Sequence, residues 1–404
     1  EVNGDIEHAV EWWQKASDLG DIDSMWSLGE YHKNSARTTQ AIDWFVKAAT
    51  SGHHYALASL GYIYWKNSEP LIAKKYWLQA AELDISWAHR CLGNLAEDDL
   101  DIPLAIKHWR LAADSGDGHA LVSLAEQEEK SGNTTEALKL IELAKNDDDA
   151  EVLDRVGDFF ESIRQFEQAV ESWVKAAALG NPDSMASLGF EAWGRGDSKQ
   201  AKNWWTMAAA KEAPNAIRAL GILAKEDGDL TLAIELWKRA ADYGDEHAII
   251  SLAEHEEAAG NHADALELVS KVQKSEDDSV LDRLGDYFES IEDFENAKFA
   301  WTRAAELDNP HSMYSLGWEA NKEEDYTLAK SWLEKAANLD HRASMHALGL
   351  FAVDEQRFPD AENWFLKAFE AGNQESAVEL SKLYEASGNI ALAEEWANKL
   401  EKDD

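Results

Sequence analysis

The stretch Ala169-Val170-Glu171-Ser172-Trp173-Val174-Lys175-Ala176-Ala177-Ala178-Leu179-Gly180-Asn181-Pro182-Asp183-Ser184-Met185-Ala186-Ser187-Leu188-Gly189 decides the fold. Ala169, Trp173 and Ala176 stand at offsets of four and three, which keeps them on one face of a helix and gives it a stripe of small, large, small residues. Gly180 is a helix stop, and Asn181 can cap the helix that follows. That next helix carries Ser184 and the pair Leu188-Gly189, small enough to let a neighbour approach closely while an aromatic ring fills the space beyond.

The same wording returns every 32 residues. The Leu-Gly-like pair recurs at Leu28-Gly29, Leu60-Gly61, Leu92-Gly93, Leu124-Ala125, Val156-Gly157 and Leu220-Gly221, then at Leu252-Ala253, Leu284-Gly285, Leu316-Gly317, Leu348-Gly349 and Leu380-Ser381. Alanine holds the matching place in the other helix from Ala9 through Ala41 and Ala73 to Ala361 and Ala393 without exception. Each unit is thus an A helix with the Leu-Gly pair, then a B helix with the alanine. Turns such as Gly132-Asn133 and Gly228-Asp229 separate A from B, with Gly as the stop, and joints such as Ser115-Gly116-Asp117 link one pair to the next. A single pair cannot bury its apolar faces, so neighbouring pairs must stack. The pattern predicts an all-α solenoid: twelve 32-residue hairpins over 21–404 as one continuous stack, preceded by an orphan B helix in 1–20. The missing A helix and the absent initial Met lead us to expect that the natural protein continues upstream. A longer period also shows, because residues 117–189 and 245–317, offset by 128, agree at about half their positions.

The spacing from Leu-Gly to Ala, then aromatic and Ala, resembles the tetratricopeptide repeat. The joint wording, Trp12-Trp13-Gln14-Lys15-Ala16 before Ser24-Met25 and Leu28-Gly29, or Trp173-Val174-Lys175-Ala176-Ala177 before Ser184-Met185 and Leu188-Gly189, is similar to the Sel-one-like repeat. The likeness covers essentially the whole chain, with a unit shorter than either family's. It implies a right-handed superhelix whose A helices line the concave wall, and a role as an adaptor for protein partners.

Composition narrows the function classes. With 38 Lys and Arg against 78 Asp and Glu the formal charge is −40, a field that repels phosphate and anionic headgroups, so nucleic acid is not an expected partner. Solubility of a long surface also accounts for such an excess. No run of 18 or more apolar residues occurs, so no membrane insertion is expected. The single cysteine, Cys91, excludes an intrachain disulfide framework, and a cytoplasmic location is favoured. No HExxH, GxSxG, GxGxxG or Walker loop appears, so the chain is not expected to be an enzyme, and neither a cofactor nor a metal is expected. Asp147-Asp148-Asp149 lacks the Gly and closing Glu of a calcium loop and reads as a turn between hairpins. His53-His54 lies at a turn and is expected to be exposed.

If A helices line the inner wall, the residues two before and two and five after each Leu anchor face a partner. They are aromatic at Trp26, Tyr62, Trp65, Phe190, Trp193, Tyr314 and Trp318. They are acidic at Glu126, Glu129, Asp154, Asp158, Glu161, Glu254, Glu257, Asp282, Asp286 and Glu289. Exposed aromatics beside carboxylates suit a basic or amphipathic protein segment, the rings supplying affinity and the acids register and on-rate. The expected protein is a monomeric scaffold for such a segment. Two alternatives stand: a carbohydrate-binding solenoid that stacks sugars on these rings, or the sensor or spacer region of a larger protein. The aromatics could equally pack only on the adjacent hairpin.

Overall fold

The computed structural model describes residues 2–400, with side chains for 6–399. Among the described residues there are 25 helices and no strand, from Val2–Asp18 to Ile390–Leu400. Most span 13 residues, and each A helix packs antiparallel on the B helix that follows it. The hairpins fall into two compact units, residues 1–207 and 208–404. In each, B helices pack on the next A helix, and consecutive A helices also touch: Gly118–Lys130 with Ala150–Ser162 in the first unit, Glu246–Ala258 with Asp278–Ser290 in the second. Both units are helical-repeat solenoids.

A size match between two residues sixteen apart forms the core of each hairpin. A Cβ added to Gly61, Gly157, Gly189 or Gly285 would fall about 2.3 Å from the indole of Trp77, Trp173, Trp205 or Trp301. These rings are almost wholly buried. Gly29 and Gly349 meet Phe45 and Phe365 in the same way. Where Ala125 and Ala253 replace the glycine, the residue sixteen on is Ile141 or Val269. A methyl added on one side is balanced by a ring removed on the other, which keeps the interior close-packed.

The chain reverses through a residue in the left-handed region every sixteen positions. Glycine holds eleven of these places, among them Gly20, Gly116 and Gly228, and non-glycine residues hold eleven more, such as Ala36, Leu100, Arg164 and Gln356. Repetition of the stack, not glycine alone, imposes this backbone. The series lapses at positions 148 and 276. There the preceding B helices are shortened, Thr134–Ala144 and His262–Ser270, and the following A helices are capped by Asp149 and Asp277. Asp147-Asp148-Asp149 is accordingly a turn.

Candidate functional site

The acidic positions form the same network twice. In the first unit Arg155 Nη2 donates to both carboxylate oxygens of Glu126 at 3.0 Å and to Ser123 Oγ at 3.2 Å, while Nη1 reaches the His119 carbonyl. In the second unit Arg283 does the same to Glu254, Ser251 and the His247 carbonyl, all at 2.9 Å. Asp154 accepts from Ser184 Oγ and Asp158 from Trp173 Nε1 at 3.0 Å. Their counterparts, Asp282 and Asp286, accept from Ser312 Oγ and from Trp301 Nε1 at 3.2 Å. One oxygen of each aspartate is thus committed to holding adjacent helices together. Arg155, Arg283 and Ser312 were not singled out in the sequence, and Ser184 was read only as a small packing residue, although each recurs at the 128-residue offset.

These carboxylates titrate high. Burial pushes Asp154 up to about 6, against the Ser184 hydrogen bond and with repulsion from Asp158, Asp183 and Glu151 adding to it. Burial also raises Asp158, against the Trp173 hydrogen bond and helped by Asp183. Glu161 is raised by burial and by Asp158 and Glu191. Asp282 is raised by burial against the Ser312 hydrogen bond, and Asp286 by burial and by Asp282. Burial first, and like charge second, thus disfavours the ionised acids on the A helices Ala150–Ser162 and Asp278–Ser290, and a cation in reach would favour them. The remaining acids are tied less firmly. Glu257 meets His262 Nδ1 at 2.6 Å and the Tyr287 hydroxyl at 3.5 Å, Glu289 lies 3.6 Å from Lys322 Nζ, and one oxygen of Glu129 is buried without a hydrogen bond.

The aromatic positions divide. Trp26 stacks on His53 at 5.2 Å and donates toward Ser59 Oγ, so His53 is largely covered and only His54 is exposed, contrary to the sequence expectation. Tyr62 touches Trp65 and Trp87 and has Lys33 and Lys66 over its ring at 5.7 and 5.4 Å, which makes this patch cationic. Phe190 and Trp193 lean on the buried Trp205 at 5.1 and 5.9 Å. Tyr314 packs against His341, while Trp318 is 51% exposed and Trp65 46%.

Stacking also assembles a group invisible to sequence spacing. His119 Nε2 lies 3.9 Å from Asp149 Oδ2 and from Glu151 Oε2, thirty residues on in the chain. No described helix is long and apolar enough to cross a membrane.

The Sel1 repeat family matches at residues 1–21, 22–53, 98–117, 182–212, 214–245, 310–341 and 343–373. No curated protein matches the chain. Among solved structures, c5321, an antigen of uropathogenic Escherichia coli with an SLR fold, is 19% identical over 97% of this chain and 94% of its own, with a TM-score of 0.41. A Sel1 repeat protein from Oxalobacter formigenes is 22% identical over 55% of this chain and 100% of its own, at 0.45. Yeast Tom70 is 14% identical over 95% and 97%, at 0.49. Sel1 and related helical repeats typically mediate protein–protein interaction and are generally not enzymes. Seven Sel1 repeats are thus matched within this train of antiparallel hairpins.

Proposed function

We propose that the protein is a scaffold whose A-helix face holds a basic or amphipathic segment of a partner protein. The reading rests on one observation: the aspartate pairs of Ala150–Ser162 and Asp278–Ser290 carry raised pKa values because burial and like charge outweigh the donors around them. A Lys or Arg brought by a partner would lower that repulsion, so part of the affinity is already stored in the free protein. Exposed rings nearby, Trp318 above all, supply apolar contact.

The test replaces Asp154, Asp158, Asp282 and Asp286 by Asn, which keeps an oxygen to accept from Ser184, Trp173, Ser312 and Trp301. Titration with acetylated (Arg-Ala-Leu)3 amide should show affinity reduced about tenfold, with a shallower salt dependence. Equal, salt-insensitive binding by the wild type and the Asn variant would reject the reading. So would binding of glycans but not of this peptide.

A further inference from the structure

Two hairpins depart from the size match, the last one with Ser381 and Ala397, and one that keeps its glycine without a ring to fill the space. Gly317 keeps the glycine, but the residue sixteen on is Leu333 instead of an aromatic ring. A Cβ built on Gly317 would meet Leu333 only at 3.0–3.1 Å, where the glycines facing Trp or Phe meet ring atoms at 2.3–2.5 Å. Neither change seen elsewhere compensates, since at Ala125 and Ala253 the lost ring is offset by a methyl. The consequence is an open pocket of about 190 Å³ over Gly317 and Leu333. Tyr314, Trp318 and Phe351 line it, together with Asn321 and Asp354. Trp318 and Tyr314 also line a second recess, of about 260 Å³, that includes Glu289.

We infer that this pocket receives an arginine side chain of the partner, its planar guanidinium taking the place of the indole that the repeat elsewhere supplies. The inference rests on the reading of the A-helix face as the site of a basic segment. Three aromatic rings in the lining favour a cation, and a guanidinium stacks on aromatic rings while presenting its N–H fork to a carboxylate. Asp354 is exposed and makes no ion pair among the described residues. The nearby lysines are already engaged: Lys322 with Glu319 and Glu289, Lys330 with Glu355. No cation of the chain therefore lines the pocket, and the charge of −40 draws one from outside.

The experiment uses the full chain and acetyl-Ala-Leu-Arg-Leu-Ala amide, followed by calorimetry and by the indole N–H resonance of Trp318. A second peptide carries citrulline, the neutral isostere, in place of Arg. Leu333→Trp restores the ring found in the other hairpins, so it should fold at least as stably and reduce binding of the Arg peptide tenfold or more, roughly the loss of one charge-assisted contact. Asp354→Asn, at an exposed position, should weaken it about fivefold by the same contact. The citrulline peptide should bind as weakly to wild type as the Arg peptide binds to the filled variant. Unchanged affinity in Leu333→Trp, or equal affinity for the two peptides, overturns the pocket assignment but leaves the basic-segment reading intact if the four-Asn variant still loses binding. A wild-type chain that binds neither this peptide nor (Arg-Ala-Leu)3 overturns both.

Discussion

Gly157 and Trp173 illustrate how single residues set the hairpin. With 2.3 Å between a hypothetical Cβ and the indole nitrogen, Gly157→Ala must push the ring out of its rotamer or separate the helices. Alanine's better helix propensity offsets about 1 kcal/mol of this, leaving a net loss of about 1–2 kcal/mol in urea unfolding. Adding Trp173→Ile, which copies the Ala125 and Ile141 pairing, should recover part of the loss, and no recovery would refute the size-match account. Asp154 makes a second case. Its folded pKa, about 6, lies above its unfolded value near 3.8, so the folded state binds the extra proton. The stability this gives is fully present below pH 3.8 and is lost as the pH rises through 6. Asp154→Asn should therefore gain stability relative to wild type between pH 4 and pH 7, by on the order of 1 kcal/mol once solvent screening is allowed for. Thermal melts of both proteins across that range check it, and a constant difference would contradict it.

At the scale of elements, the reversals impose a backbone that many of their residues do not prefer. Leu100 sits at φ 59° with its side chain 86% exposed, so it gains no burial to offset the left-handed geometry. Leu100→Gly removes about 1–2 kcal/mol of strain and costs part of that in unfolded-chain entropy, for a net gain of about 0.5–1 kcal/mol. A lower melting temperature would show that the left-handed turn carries no strain. The two joints without such a residue, at 148 and 276, follow the shortened B helices and come from one duplicated block. Asp277 caps its helix by accepting from the backbone N–H groups of Ser279 and Val280, as Asp149 does from Glu151. The aspartate cap is kept at these joints, as at Asp117 and Asp245, while the left-handed stop before it is lost.

At the scale of the molecule, −40 on 404 residues means that folding concentrates like charge. Screening should relieve it: raising NaCl from about 20 mM to about 0.5 M should raise Tm by several degrees, with most of the change below about 0.15 M, where the Debye length shortens past 8 Å. A fall in Tm over that interval would mean that the ion pairs, such as Arg155 with Glu126, outweigh the repulsion. Helical identity, the 32-residue unit and the burial of the B-helix rings were all legible in the sequence, because each is local or repeats without insertion. The candidate site was legible only as a face. Glu126 and Glu254 read as acids facing a partner, and the structure adds an arginine 29 residues on that holds each. Phe190 and Trp193 read as partner-facing, and the structure adds that they lean on Trp205.

The sequence by itself determined which residues share a helix face and which helices must pair, since a period of 32 with a small–large–small stripe has one close-packed solution. Only the tertiary structure decided which carboxylates are already engaged and where the packing leaves room. Those outcomes depend on side chains from different repeats meeting at distances of a few ångströms. The space in front of Gly317 arises from such a meeting, a leucine facing a glycine that elsewhere in the stack faces a ring.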